Sequence, residues 1–265
     1  MDRRKAMKIA AGVFAGGSIG LFSIANMFKT RDKSDSEQYK LDNKSMVAGW
    51  NYVHLDPAQS AERAYEFYIE GGCMHSMVKG IISQLAENIG EPYASFPFHM
   101  FKYGHGGIGG YGSVCGTLNG AAALISLLVP DKKIQDNMIT DIFQWYEKEP
   151  SPVFIPAHPV FEYTPVKSIP NSVLCHASNT NWCKTSGFKI GSNERKERCR
   201  RLTADVAKKV TVALNELHSN QYITNTQSDE MVNTCISCHG KEGKLKNVSG
   251  KMTCNSCHTE SVGHR

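Results

Sequence analysis

Two five-residue strings near the C-terminus carry the sharpest chemistry in the chain: CISCH at 235–239 and CNSCH at 254–258. Each holds two thiols, Cys235 and Cys238 or Cys254 and Cys257, with a histidine, His239 or His258, directly after the second. The four thiols in C-x2-C-x15-C-x2-C order also satisfy a zinc ribbon. A ribbon has no need of a histidine after both pairs, yet both are present. The other chemistry of C-x-x-C-H is covalent haem attachment. The thiols add across the haem vinyl groups, and the adjacent histidine is set under the iron as an axial ligand. The motifs therefore predict two haem c groups per chain, with His239 and His258 as proximal ligands. A covalently held cofactor also explains how residues 221–265 can be ordered without a core of their own.

The remaining five cysteines, Cys73, Cys115, Cys175, Cys183 and Cys199, are spread through the middle of the chain. An odd number cannot all pair within one chain. Two disulfides with one free thiol is one reading, and an iron–sulfur cluster held by three or four of them is the other. Eight of the ten histidines lie outside the haem motifs, enough to give each iron a second histidine. The C-terminal 45 residues offer only His264 besides the two proximal ones, so the sixth ligands must be sought in the helical part. His176 follows Cys175 directly, His105 lies among glycines that would let a flat macrocycle approach, and His75 sits near the edge of a helix's apolar stripe, with His99 behind them. Two six-coordinate irons predict an electron carrier. The competing classes are an oxidoreductase with one open iron and a structural or sensing protein that its metals hold together.

The elements that must position these groups read as helices. Asp56-Pro57 is a helix start, with a carboxylate at the N-cap and proline at the first helical position, and Gly71-Gly72 is the expected stop. A second helix follows from Cys73, with Met74, Val78, Ile81, Leu85 and Ile89 on one stripe. The stretch at 96–112 is too glycine-rich for regular structure. It leads into a buried helix at 113–129 whose Gly116, Gly120 and Ala123 form a face for close packing. Another helix covers 133–147, and six of the ten prolines make 149–170 an extended crossover. The last long helix, 192–217, lines up Cys199, Leu202, Val206, Val210, Ala213 and Leu217. The expected fold is all-α: a helical domain at 56–220 and a small, irregular, haem-stabilised dihaem segment at 221–265.

The N-terminus reads as an address. Residues 1–28 join a basic start, with Arg3-Arg4 and then Met7-Lys8, to an apolar stretch at 9–28 rich in Gly and Ala. This resembles a twin-arginine export signal, which carries folded proteins outward and so agrees with a cluster assembled in the cytoplasm. Its 20 apolar residues could also remain as a membrane tether. Residues 29–55 read as a linker, and the expected location is the periplasm, where c-type haem is attached. The first 40 residues carry eight Lys/Arg against four Asp/Glu, leaving little of the +5 net charge on the rest. Nucleic-acid binding, which needs a basic face, is excluded as an expectation.

From 55 to 215 the chain also resembles the redox-associated family named for its C-GCAxxG-C-C cysteine pattern. The match rests on GGC (71–73), YGHGGIGGYGSVCGTLNGAA (103–122), LCHASNTNWCKTSG (174–187) and ERKERCRRLTADVA (194–207). Joined to two C-terminal haem motifs, the whole is similar to cytochromes c of the split-Soret type. That resemblance implies a homodimer with bis-histidine haems at one end and an iron–sulfur centre in the helical domain, taken as [2Fe-2S]; a sixth ligand shared across the two chains would tie haem ligation to dimer formation. It aligns Cys73, Cys115, Cys183 and Cys199 with the signature cysteines and leaves Cys175 as an extra one, while GCA reads here as Gly72-Cys73-Met74. Redox partner proteins are implied as well.

Overall fold

The computed structural model describes residues 49–224 and 230–258. The expected export signal or tether at 1–28, most of the expected linker and His264 lie outside the described residues. Among the described residues the regular structure is helical, with only two isolated β-bridges. No helix there is long and apolar enough to cross a membrane.

Helix α1 (Pro57–Glu66) starts where Asp56 accepts the amides of Ala58 and Gln59, with Pro57 in the first turn. It gives way at Phe67 to α2 (Tyr68–Ile89), and the expected break appears inside α2, where Gly72 has φ 77°. That backbone angle is open to glycine and strained for a side chain. The path therefore bends just before Cys73. A 3-10 segment (Phe98–Gly104) precedes α3 (Gly116–Leu128) and α4 (Lys132–Lys148). The proline-rich stretch crosses over without regular structure to α5 (Cys175–Ser186). Helix α6 (Asn193–His218) is capped by Ser192, whose hydroxyl accepts the Arg195 amide.

The core lies where α2, α3, α4 and α6 meet. Met77, Ile81, Leu85, Leu118, Leu124, Ile125, Met138, Val206 and Val210 are almost wholly removed from solvent. Each such side chain contributes about 1.5–3 kcal/mol through burial. Polar pairs fix how the helices face one another: Thr117 and Thr203 hydroxyls lie 2.9 Å apart between α3 and α6, and the Thr211 hydroxyl donates to Ser60 Oγ at 2.8 Å between α6 and α1.

The linker ends earlier than expected. Asn215 closes a pair of bonds with the Leu55 main chain, donating to its carbonyl at 2.8 Å and accepting its amide at 3.0 Å. Trp50 stands edge-on to Tyr93 and Phe96. Residues 49–55 are thus part of the packed domain, because Trp50, Tyr52, Val53 and Leu55 bring apolar surface that the polar stretch before them lacks. Among the described residues beyond Asn220 the chain is irregular except for α7 (Glu230–His239), whose one buried side chain is Val232.

Candidate functional site

Two groups of cysteines occupy different environments. In the first, Cys73 follows the bend at Gly72, Cys115 is the N-cap residue of α3, Cys175 opens α5, and Cys199 lies in the second turn of α6. What lets α2 and α3 come this close is Gly116. A Cβ there would lie 2.0 Å from the Gly104 carbonyl oxygen and 2.6 Å from Cys73 Sγ. Burial, then the neighbouring Cys115, Cys199 and Cys175, pushes the Cys73 thiol far up. Cys175 is pushed up to about 12 by burial and by Cys115 and Cys199, against the opposing pull of Arg198 and Asn179. Cys115 and Cys199 thus lie near both Cys73 and Cys175. Cys183 stands apart: burial raises it, Arg195 and Arg198 oppose, and Cys199 is the one neighbouring thiol that acts on it. Cys175 thus lies near Cys73, Cys115 and Cys199, and Cys183, which the family resemblance aligned with the signature, is linked to this group through Cys199.

Two side chains tie this group together. The Asn179 amide donates to Cys175 Sγ at 3.2 Å and accepts from Cys199 Sγ at 3.4 Å. Arg198 is 1% exposed, places Nη1 3.8 Å from Cys199 Sγ and donates from Nη2 to Ser178 Oγ at 2.8 Å. Ser178 in turn meets the Tyr146 hydroxyl at 2.9 Å. A buried guanidinium is costly unless negative charge lies near it. Near Arg198 lie the Cys199 sulfur and the Asp205 carboxyl, which feels its charge. Nothing in the charge-rich run at 194–201 announces that Glu197, Arg198, Arg200 and Arg201 are all buried. Glu197 resolves it by accepting from Arg200 at 2.6 Å, Arg201 at 2.9 Å and the Tyr65 hydroxyl at 2.7 Å.

The second group is the C-terminal one. Cys235, Cys238 and His239 end α7, while Cys254, Cys257 and His258 form a turn in which the His258 amide donates to the Cys254 carbonyl at 2.9 Å. Cys238, Cys257 and His258 are exposed. No disulfide joins any two cysteines. Among the described residues no three His, Cys, Asp or Glu side chains converge on a single-ion position. The four C-terminal thiols are therefore not gathered as a zinc ribbon would gather them. Haem attachment makes no such demand, since each pair serves its own macrocycle. A cluster with bridging sulfides likewise spreads its thiolates over more than one metal, which suits the buried group.

The second motif borders a cleft of ≈ 570 Å³ between α5 and residues 253–257. Its walls include His176, Thr180 and Lys184 from α5, Glu147 from the end of α4, and Thr253 and Cys257. The Thr253 amide reaches Glu147 at 3.5 Å and Lys251 donates to Thr140 at 3.0 Å, holding this stretch against α4. His176 is exposed and opens to the cleft. His105 and His99 are exposed around the 3-10 segment. His75 is 3% exposed, edge-on to Phe98, with a buried Nδ1 that has no hydrogen-bond partner, and burial lowers its pKa.

The chain is similar to known proteins. The model of the redox-active protein family C_GCAxxG_C_C matches residues 73–212. The chain belongs to that family. It is also 33% identical to the split-Soret cytochrome c of Desulfovibrio desulfuricans over 268 residues, covering 98% of this chain and 95% of the relative. The solved structure of that cytochrome, described for a novel iron centre, superposes with a TM-score of 0.74 at 34% identity, over 80% of this chain and 91% of the other. The all-α architecture inferred from the helical periodicities is thus the architecture of a known cytochrome.

Proposed function

We propose that the protein is an electron-transfer cytochrome with two covalently bound c-type haems and an iron–sulfur centre in its helical domain. The observation that carries the reading is the pair of separate C-x-x-C-H motifs, one of which borders a haem-sized cleft that His176 also lines. The similarity to a split-Soret cytochrome c over nearly the whole chain supports it.

A bound haem iron supplies a one-electron couple. The chain's own residues do the rest. Cys235 with Cys238, and Cys254 with Cys257, would hold the two macrocycles, and His239 and His258 would present a nitrogen to each iron. His176 is the best-placed sixth ligand for the second site, because it faces the cleft that Cys257 borders. His105 follows as an exposed candidate, and buried His75 ranks behind both. A second chain that supplies a missing ligand would tie ligation to dimerisation. In the helical domain, Cys73, Cys115, Cys175 and Cys199 would hold a [2Fe-2S] cluster, with Arg198 offsetting part of its negative charge. Residues 1–28 fit export to the periplasm and suit a protein that leaves the cytoplasm already folded around such a cluster.

Denaturing mass spectrometry of the purified protein is expected to give the polypeptide plus two haems. Carbon monoxide should leave the spectrum of the reduced protein unchanged, since both irons are six-coordinate. Zinc without haem would overturn the reading, and fast carbon monoxide binding would replace the carrier with an enzyme that keeps an open iron.

A further inference from the structure

The last carbonyls of a helix need partners beyond it. After α7 the chain turns back at residues 240–248 and supplies them. The Leu245 amide donates to the Cys238 carbonyl at 2.8 Å, and the Asn247 and Val248 amides donate to the His239 carbonyl at 3.0 and 2.9 Å. The Asn247 side chain then meets the ring of the same histidine, its Oδ1 lying 3.0 Å from His239 Nδ1. One residue, eight positions on, therefore touches both the main chain and the imidazole of His239.

An amide oxygen only accepts, so this contact calls for the proton on Nδ1. The lone pair then sits on Nε2, the nitrogen a metal would take, and the contact holds the plane of the ring. At the second motif the arrangement differs. His258 is exposed, and among the described residues no side chain hydrogen-bonds its ring.

We infer that Asn247 is the positioning residue for the first haem ligand, and that it sets that site apart from the one at His258. The inference rests on the haem reading above. An acceptor on Nδ1 draws the N–H proton toward itself and makes Nε2 a stronger electron donor. A stronger donor favours the oxidised iron, so the contact lowers the potential of the haem held by Cys235 and Cys238. Holding the ring plane also fixes the anisotropy of that iron's low-spin signal.

The test uses the full-length protein with haem count checked by mass. In N247L, which keeps the side-chain size but removes the acceptor, one of the two haem potentials should rise while the other stays. The electron paramagnetic resonance signal of that same haem should move or broaden. N247D keeps an acceptor and strengthens it, so the same potential should fall and the signal should keep its position. If N247L fails to retain its first haem, N247D still decides through the direction of its shift. Two attached haems with both potentials unmoved in both variants would overturn the inference and leave the haem reading standing. Wild-type protein without haem would overturn the haem reading itself.

Discussion

The helical domain and the C-terminal segment are stabilised by different physics. In the domain, helix faces from α2, α3, α4 and α6 close over one apolar core, and even its charges are buried in matched groups around Glu197. The described residues beyond Asn220 bury little: α7 removes a single side chain, Val232, from solvent, and Cys238, Cys257 and His258 face outward. Its contacts are mostly main-chain turns and a few polar bonds to α4. A segment of this kind needs a covalent cofactor as its centre of packing. The domain can stand without one, and this makes the two regions separable by experiment.

The largest expected effect separates them outright. Replacing Cys235 and Cys238 together by alanine should remove one haem by mass and make the segment beyond residue 220 a site of rapid proteolysis. Thermal unfolding of the helical domain, followed by far-ultraviolet circular dichroism, should change little. Equal loss in both regions would mean that they fold as one unit. Next in size is Glu197→Ala, which acts on the other side of the comparison. It strands Arg201, whose side chain is 4% exposed, beside Arg200 without the shared carboxylate. Breaking a buried ion pair from one side costs about 3–5 kcal/mol. Denaturant unfolding should register that loss while the haem count stays at two.

The smallest effect is a pH dependence confined to the domain. Asp205 accepts the Val153 and Phe154 amides at 2.8 Å each and so pins the crossover to α6. Burial raises its pKa from 3.8 to about 6, and the two amides only partly oppose this. The folded state therefore holds the proton more tightly than the unfolded one. The associated stability is complete below pH 3.8 and is lost as pH rises through about 6, a change on the order of 3 kcal/mol or less. Asp205→Asn should remove this dependence. The gap in denaturant midpoint between wild type and variant should shift in the variant's favour from pH 4 to pH 7, and a constant gap would refute the assignment.

Much of this was legible in the residues themselves. Helix starts at Asp56-Pro57 and Ser192, the bend at Gly72 and the close packing at Gly116 follow from backbone sterics and capping, which act over a few neighbouring positions. The haem motifs are local for the same reason: C-x-x-C-H carries its chemistry within five residues. The buried cysteine group was legible only as a set of five. The family resemblance aligned Cys183 with the signature and left Cys175 as an extra, and side-chain hydrogen bonds between α5 and α6 place Cys175 beside Cys199, with Asn179 between them.

What the tertiary structure decided is whatever depends on groups far apart in the chain. Arg198 beside the thiols, residues 49–55 pinned by Asn215, His176 opening toward Cys257 and Asn247 against His239 all have this character. By itself the sequence determined the helices, the haem-type motifs and the stock of possible ligands, because propensity and covalent spacing are short-range. Which thiols share a site, and which histidine faces which motif, depends on how whole helices pack. Packing is a sum over many weak contacts that no local pattern encodes.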